Sequence, residues 1–274
     1  MQGTIAQVIS LTTHGSAFLT GRPLDGYYPN NSTFGFCEYV RFVDLKRNDA
    51  ERDALPYAED PRSWFERLKN EGARAVRLLD VFAGGQQAGD SKTPDRMLVG
   101  FVGGGGRWIL EVVKNGGSDF WEGVWEVGDE DRKDRRIWRV TYGRIAANQP
   151  PADNPSSDLA GLKRRLGENL RALGAFARDH KLDGFAQAFE RGSAQLDATE
   201  PAGPYHTDLA PASVLPLPAL QLLAAAQSAW VFGGMGSWND LWFEDADQAT
   251  YERLSEELYE LLNAAIVAAA NAGT

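Results

Sequence analysis

The sequence predicts an α+β protein of two domains: an N-terminal antiparallel, curved β-sheet domain followed by a C-terminal all-helical domain. Apolar residues recur with a period of two before residue 148 and with a period of three to four after residue 157. The segment between them, NQPPADNPSS at residues 148–157, holds three prolines among small polar residues. Because proline interrupts helices and strands, this segment is predicted to be a linker between domains of residues 1–147 and 158–274.

Strands are predicted in the N-terminal half from alternation between two faces. In DFWEGVWEVG, residues 119–128, the side chains of Trp121, Gly123, Trp125 and Val127 share one face. Separators such as GGGG at residues 103–106 are short and suit hairpin turns, so consecutive strands should pair antiparallel. The other predicted strands cover residues 4–11, 17–20, 33–43, 75–82, 97–102, 107–113 and 136–145.

One short helix is predicted among these strands, and four more after the linker. Asp60 is the expected N-cap of the short helix, with Pro61 at its first position and Gly72 as its terminator. Asp245, with Gln248 three residues on, is expected to cap the last helix. The four later helices are predicted at residues 159–177, 183–191 (ending at Gly192), 217–232 and 246–271, and the third, apolar all round, should be the buried centre of its domain.

Composition and charge exclude several classes of function. The chain of 274 residues carries 28 Lys and Arg against 38 Asp and Glu, a formal net charge of −10. Nucleic-acid binding normally needs a clustered basic face, which the sequence lacks. The apolar run at 217–232 is too short and too interrupted to span a membrane. With one cysteine and no signal-peptide pattern, the sequence predicts a cytoplasmic protein that binds neither nucleic acid nor membrane.

Metal, cofactor and catalytic signatures are missing from the sequence. His14, His180 and His206 lie far from one another and from Cys37, whereas a zinc site needs four ligands at short spacings. A nucleophilic pair of Cys37 and His14 is conceivable, but a cysteine in the middle of a strand is normally inert. The acidic residues of FEDAD, 243–247, suit a cation and equally suit the first turn of a helix. We therefore predict no catalytic residue, no metal and no cofactor.

Two further patterns do not meet the requirements of known sites. The glycines at 103–106 are followed by Arg107 and Trp108, whereas a P-loop needs lysine and serine or threonine there. Glu122 and Glu126 would lie about 13 Å apart along a strand, more than the roughly 5 to 9.5 Å that separates the carboxylates of glycosidases. Both patterns are predicted to be structural.

The segment VFGGMGSWND, residues 231–240, is the strongest candidate site. Gly233 or Gly234 is predicted to adopt a left-handed conformation and to cap the preceding helix. The polar and aromatic residues that follow are typical of a recognition pocket, although a packed corner between two helices would use the same residue types. The predicted ligand-binding or partner-binding residues are Gly236, Ser237, Trp238, Asn239, Asp240 and Trp242.

Two stretches carry a resemblance to other proteins. With STFGFCEYVRF at residues 32–42 and AWVFGGMGSWND at residues 229–240, the chain resembles a family of bacterial cytosolic proteins. The resemblance covers both halves and implies a bacterial, cytosolic origin, but it brings no activity, cofactor or catalytic residue with it. Immunity proteins of toxin systems offer an analogy and nothing more.

These observations favour a non-enzymatic binding or interaction protein. An acidic surface and an aromatic-rich sheet suit a basic protein partner, whose encounter complementary charge would accelerate, or a small ligand. The alternative is a small-molecule enzyme with a pocket at the domain junction near GGMGSWND, which would use Asp240, Ser237 and His14. A buried pocket at the loop would favour the enzyme, and a flat acidic patch would favour the binding protein.

If the two halves are separate folding units, limited proteolysis of the native protein should cut first between residues 148 and 157. Proteases favour exposed and poorly ordered segments, and the linker composition predicts such a segment. Mass spectrometry of the earliest fragments locates the cut. Early cleavage inside either half, with residues 148–157 intact, would contradict the two-unit organisation.

Overall fold

A computed structural model of the chain describes residues 1–45, 54–81, 93–101, 104–153 and 158–273. Within these ranges the protein is mixed α/β, with one six-stranded sheet and seven α-helices. The sheet lies in the N-terminal half and four of the helices lie in the C-terminal half, as the sequence predicts. None of the helices in the described ranges is both long and apolar enough to cross a membrane.

The sheet is mixed, not wholly antiparallel as predicted. Its strands are β1 (Cys37–Leu45), β2 (Ala54–Ala58), β3 (Ala75–Val81), β4 (Arg107–Lys114), β5 (Gly117–Val127) and β6 (Trp138–Gln149), arranged in the order β2-β1-β6-β5-β4-β3. The consecutive strands β3 to β6 pair antiparallel as predicted, but β1 and β6 pair in parallel. No short turn joins β1 to β6, so turn geometry does not dictate their relative direction.

Most predicted helices are present, and their ends follow known capping rules. The seven helices are α1 (Gly3–Leu19), α2 (Pro61–Asn70), α3 (Asp95–Leu98), α4 (Leu159–Asp179), α5 (Asp183–Gln195), α6 (Leu217–Ala229) and α7 (Asp245–Ala270). The Asp60 carboxylate accepts a hydrogen bond from the Ser63 N–H at 2.8 Å, which confirms the predicted N-cap of α2. Gly72, beyond its other end, has φ +77°, a conformation that glycine adopts without strain.

The strands predicted at residues 4–11 and 17–20 are wrong, because these residues belong to helix α1 (Gly3–Leu19), apart from residue 20, which is its C-cap. The helix is buried on nearly all sides, from Ile5 to Ala17, so its apolar residues show no helical stripe. Its N-cap, Gln2, makes no side-chain capping hydrogen bond, so the usual start signal is missing as well. Because the helix is buried by tertiary contacts, its residues are apolar and often β-branched, a composition that is also typical of a strand.

Three smaller predictions at the strand boundaries are also wrong. Residues 97 and 98 of the predicted strand at 97–102 instead end the short helix α3, which has Pro94 at the N-cap and Asp95 in the first turn. Residues 99–101 do not belong to a strand, and residue 102 lies outside the described residues. Consequently the glycines at 104–106 do not join two strands of a hairpin, because the described element before them is a helix; Gly103 lies outside the described residues. The strand predicted from residue 33 begins only at Cys37, since residues 32–34 form a 3₁₀ turn capped by Asn31.

Two helix ends in the C-terminal half also differ from the predicted positions. Glu244 is the N-cap of α7, and Asp245 is its first residue. Gln248 still assists the start of the helix, since its side-chain oxygen accepts a hydrogen bond from the Phe243 N–H at 2.8 Å. Gly192 does not end α5, which continues to Gln195; a Cβ at Gly192 would lie 2.8 Å from Ala229 Cβ, so this glycine permits close packing of α5 on α6.

Helices α1 and α2 pack on one face of the sheet, which we call the covered face. Ser16 near the end of α1 donates a hydrogen bond to the Val76 carbonyl at 2.8 Å and accepts one from the Val76 N–H at 2.9 Å. Trp64 of α2 stacks on Phe42 of β1, with ring centroids 4.3 Å apart. The covered face is aromatic at its centre, and its fully buried residues include Phe42, Trp64, Trp121 and Tyr142.

The two halves share one hydrophobic cluster, which runs from α1 and the sheet into α4–α7. Polar contacts join them as well: the Asn31 side chain donates to the Asp208 carbonyl at 2.6 Å, and Asn271 accepts from the Leu78 N–H at 2.8 Å. Of the predicted linker, residues 154–157 lie outside the described residues, and Asn148 and Gln149 belong to β6. Whether the halves fold separately stays a prediction for the proteolysis experiment.

Helix α6 has the buried position that the sequence predicts, so a cavity at its centre should be costly. Leu222 is fully buried, and Leu222→Ala should lower the free energy of unfolding by about 2–5 kcal/mol. Leu220, on the same helix but 36% exposed, is the matched control, and Leu220→Ala should cost about 0.5 kcal/mol or less. Urea denaturation of both variants measures the difference. If Leu222→Ala lowers the free energy of unfolding as little as the control is expected to, α6 is peripheral.

Candidate ligand-binding cleft

Strands β4 and β5 separate part-way along their length. They pair from Lys114 and Gly117 to Ile109 and Glu122, where the ladder ends. Beyond this point residues 123–127 of β5 pair with β6 alone, and the start of β4 pairs with β3 alone. The opening between the two strands is a cleft of about 660 Å³, within the size range of small-molecule pockets.

The glycine run before β4 directs the chain away from β5. Gly105 and Gly106 have φ values of +81° and +93°, which other residues rarely adopt. A Cβ at Gly104 would lie 2.1 Å from the Leu98 carbonyl oxygen at the end of α3, so only glycine allows this approach. The Tyr259 hydroxyl of α7 donates a hydrogen bond to the Gly105 carbonyl. These contacts attach the run to α3 and α7 and leave β5 without a neighbour.

Aromatic side chains of the covered face line the cleft around a glycine. Gly123 lies opposite Tyr142 of β6, and a Cβ at this position would lie 2.8 Å from the Tyr142 ring. Because Ile109 is opposite Glu122, Trp108 stands beside Gly123 in the next row. The absence of a side chain at Gly123 therefore lets the Tyr142 ring pack directly against the backbone of β5. Farther along, the Trp125 and Trp138 rings meet edge to face with centroids 5.8 Å apart.

The first turn of α1 and the segment after α3 form the remaining walls. The Gln2 side chain donates a hydrogen bond to the carbonyl of Val99, which ties the two walls together. Phe101, at the rim of the cleft, is 70% exposed, an unusual state for a phenylalanine with apolar surface nearby. Deeper in the molecule, the Tyr142 hydroxyl donates to Gln7 at 3.0 Å, and burial holds the pKa of Tyr142 well above its ordinary value.

One ion pair crosses the narrow end of the cleft. The Arg107 guanidinium donates two hydrogen bonds to the Glu122 carboxylate, at 2.7 and 2.6 Å, and this pairing raises the pKa of Arg107. The bidentate pair bridges β4 and β5 just where their backbone ladder stops. On the same strand, Glu126 is exposed and has no ion-pair partner among the described residues. Strand β5 therefore carries one neutralised carboxylate in the lining of the cleft and one free carboxylate, that of Glu126, beyond the lining.

A third carboxyl group, that of Asp80, lies behind the cleft. Asp80 of β3 is directly opposite Trp108, and its Oδ1 is 3.4 Å from the position of a Cβ at Gly106. Both carboxyl oxygens are buried without a hydrogen-bond partner among the described residues. Burial, with a smaller contribution from Asp95, raises the pKa of Asp80 to about 7. Asp80 is not itself among the residues that line the cleft.

The backbone of β5 presents hydrogen-bonding groups to the cleft. Gly128 donates to the Ile137 carbonyl at 2.7 Å, so the backbone groups of Gly128 face β6. Because these groups alternate in direction along a strand, those of Val124 and Glu126 also face β6. The N–H and C=O groups of Gly123, Trp125 and Val127 therefore point away from β6, to the side of the strand on which the cleft lies, where no described strand pairs with them. Gly123 and Trp125 line the cleft, and Val127 lies beyond its lining.

The predicted site loop, GGMGSWND, lies beside this cleft and supports its wall. A Cβ at Gly100 would lie 2.7 Å from the Gly233 carbonyl oxygen, so the two segments touch through their backbones. Asn239 is buried; its amide donates to the Arg96 carbonyl at 2.6 Å and accepts from the Arg96 guanidinium at 3.2 Å. The loop thereby fixes α3 and the wall that follows it.

Trp238 and Ser237 have structural contacts within the loop. Trp238 is fully buried against Phe185 and Phe189, and its indole N–H donates to Ser255 at 2.8 Å. The Ser237 hydroxyl donates to the Gly233 carbonyl at 3.2 Å.

The other loop residues lie at the surface. Asp240 is exposed, and its carboxylate accepts hydrogen bonds from the N–H groups of Gly236 at 2.5 Å and Ser237 at 3.2 Å. Trp242 is 72% exposed. The predicted glycine cap is wrong: α6 ends at Ala229, and in this loop the left-handed conformation belongs to Gly236, with φ +81°. Whether these residues bind a ligand directly stays a prediction.

The structure separates the other candidate residues. Cys37 is buried and bonds Gln7 and Thr33; burial raises the pKa of its thiol to about 11. His14 belongs to α1, not to a turn between strands, and stacks on Tyr27. His180 is the C-cap of α4, and its imidazole Nε2 lies 3.1 Å from the Asp247 carboxylate of the FEDAD segment. Within the described residues, His, Cys, Asp and Glu form no cluster suited to a metal ion.

A serine, a histidine and an aspartate meet where the two halves join. The Ser32 hydroxyl donates to the Asp208 carboxylate and lies 2.8 Å from His206 Nδ1, and burial lowers the pKa of His206. In a catalytic triad the carboxylate orients the histidine, which then takes the serine proton. Here the carboxylate binds the serine hydroxyl and the Ser32 N–H directly. This geometry is that of a clamp between segments.

Comparison with known proteins adds no relative: no protein family, curated protein or solved structure matches the chain. The assignment of a site therefore depends on the geometry alone.

The sequence did contain one signal for the cleft, namely the face of β5 on which Trp121, Gly123, Trp125 and Val127 alternate. It held no signal for the end of the β4–β5 ladder, which no local residue pattern encodes.

The separation of β4 from β5 predicts an alternating pattern of amide hydrogen exchange in β5. The amides of Val124 and Glu126, bonded to β6, should exchange at least about tenfold more slowly than those of Trp125 and Val127, which point away from β6. Exchange measured by ¹H–¹⁵N NMR resolves the four amides individually. Uniform slow exchange of all four would show that β5 has a partner on both sides and that the cleft is closed.

Proposed function

We propose that the protein is a non-enzymatic binding protein and that its ligand enters the cleft between β4 and β5. The observation that carries the proposal is the recess of about 660 Å³ whose lining combines Trp108, Trp125, Trp138 and Tyr142 with a few polar groups. Apolar and aromatic linings with a small number of placed polar groups are typical of ligand sites.

The chemistry of the lining favours binding over catalysis. The two charged side chains of the lining, Arg107 and Glu122, are bonded to each other, so neither is free to act as a general acid or base. The enzyme alternative is best supported by Asp80, because a buried carboxyl with a pKa of about 7 suits a general base. Asp80 lies behind Gly106, however, away from the space that a ligand would occupy.

In this proposal the loop GGMGSWND has an indirect role. Asn239 and Gly233 hold the segment from Arg96 to Gly100, which forms one wall of the cleft. The loop residues on the surface, Asp240 and Trp242, are then outside the primary site. This differs from direct recognition by the loop, and the two possibilities are separated by where a bound compound perturbs the protein.

A panel of small aromatic compounds that includes indole tests the proposed site. Compounds that bind should shift the indole N–H resonances of Trp108, Trp125 and Trp138 in ¹H–¹⁵N NMR spectra, because these rings line the cleft. Trp125→Ala should weaken binding roughly three- to tenfold through the lost ring contact. Trp242→Ala, at an exposed tryptophan outside the cleft, is the matched control and should leave affinity unchanged.

The reverse result would contradict the proposal. If Trp242→Ala weakens binding and Trp125→Ala does not, recognition belongs to the loop GGMGSWND. Turnover of a bound compound that Asp80→Asn abolishes would favour the enzyme. If neither a panel compound nor a peptide shifts the cleft resonances, the cleft is not a binding site.

A further inference from the structure

We infer that the cleft binds an extended peptide segment of a protein partner, which adds as a strand to the free edge of β5 and carries apolar residues alternating with basic ones. This inference rests on the proposed function and specifies the ligand of the same cleft. It combines three features of the cleft: the unpaired backbone of β5, the aromatic lining on one side of that backbone, and the free carboxylate on the other.

The unpaired backbone favours a peptide over a compact compound. Gly123, Trp125 and Val127 each direct one N–H and one C=O away from β6, to the side on which the cleft lies, and no described strand pairs with them there. Backbone groups away from bulk water are almost always hydrogen-bonded in native proteins, and Trp125 is half-buried. An extended strand offers complementary groups at the same spacing, whereas a small compound satisfies one or two of them.

The opening has the geometry of a strand position left vacant within the sheet. On its inner side the ladder with β6 holds residues 123–127 in extended form, so the edge is already ordered for pairing. On its outer side the glycines at 104–106 withdraw the chain that would otherwise continue β4 along this edge. The Arg107–Glu122 pair marks the closed end, so an added strand would extend from there toward Val127.

The two faces of the sheet beside the free edge of β5 determine which side chains the partner peptide would need. Residues of an added strand alternate between the two faces of the sheet. On the covered face they would meet Trp108, Trp125 and Trp138, which suit apolar or aromatic side chains. On the other face they would lie beside Glu126, whose carboxylate has no ion partner among the described residues, so Lys or Arg fits there. The net charge of −10 adds a long-range attraction for a basic segment.

The test is a selection of short linear peptides from a displayed library in which apolar and basic residues alternate. Peptides that bind the wild-type protein should bind Val127→Pro roughly three- to tenfold more weakly, because proline removes the N–H of Val127 that points away from β6. Val127 is the last residue of β5 and its N–H does not face β6, so the variant should keep the sheet intact. Val127→Ala, which trims the same side chain but keeps the N–H, is the matched control, and Val127→Pro should bind more weakly than Val127→Ala by the same factor.

A second measurement does not depend on the folding of a variant. The best peptide is synthesised with N-methyl groups at every second residue, in each of the two possible registers. If the peptide pairs with β5, one register should abolish detectable binding and the other should retain it, since only alternate N–H groups of a strand face its neighbour. On binding of the unmodified peptide, the amides of Trp125 and Val127 should become protected from exchange, and those of Val124 and Glu126 should not change.

Three outcomes would overturn the inference. The first is that selected peptides bind Val127→Pro as well as wild type, the second that both N-methylated registers bind equally, and the third that protection appears outside β5. Binding of aromatic compounds in the cleft with no peptide selected would also overturn it, while leaving the proposed function in place. Failure of compounds and peptides alike would overturn both.

Discussion

The end of the β4–β5 ladder at Ile109 and Glu122 is the feature on which the proposed site depends. If β4 continued alongside β5, the sheet would be complete, and Trp125 and Trp138 would border another strand instead of an opening. The ladder ends because the preceding chain is bound elsewhere. Gly104 packs against the end of α3, and the Gly105 carbonyl accepts a hydrogen bond from α7. The C-terminal helices therefore determine the shape of a site that lies mainly in the N-terminal half.

This dependence gives the loop GGMGSWND a physical explanation. Asn239 satisfies both a backbone carbonyl and the guanidinium of Arg96, which are buried and would be costly to leave unpaired. The absence of a side chain at Gly100 lets the wall approach the Gly233 carbonyl, which would lie 2.7 Å from a Cβ at Gly100. Trp238 anchors the loop in the core of the helical half. Asn239 and Trp238 thus have the contacts that a packed corner requires, whereas direct recognition by the loop stays a prediction.

The parts of the fold that could be predicted are those whose signals are local. The cap of α2 at Asp60, the apolar stripe of α4 and the alternation in β5 each lie within a short window of sequence, and the structure confirms them. Helix α1 was missed because burial on nearly all sides removes the periodicity on which a helix prediction depends. The parallel pairing of β1 with β6 was missed because no local turn dictates it. The cleft depends on where a ladder stops, which is a property of tertiary packing.

An open strand edge inside a sheet is a liability, because it can pair with any extended chain. Proteins usually cover such an edge, twist it away or place charges on it. Here the edge of residues 123–127 is partly protected in two of these ways: it is recessed behind the first turn of α1 and Phe101, and Glu126 stands beside it. Because the edge is recessed, only a chain in extended conformation can reach it, and the Glu126 carboxylate disfavours acidic chains. The features that limit pairing with unrelated chains therefore also make pairing with the proposed partner selective. The depth of the cleft favours an extended peptide, and the Glu126 carboxylate favours a basic one.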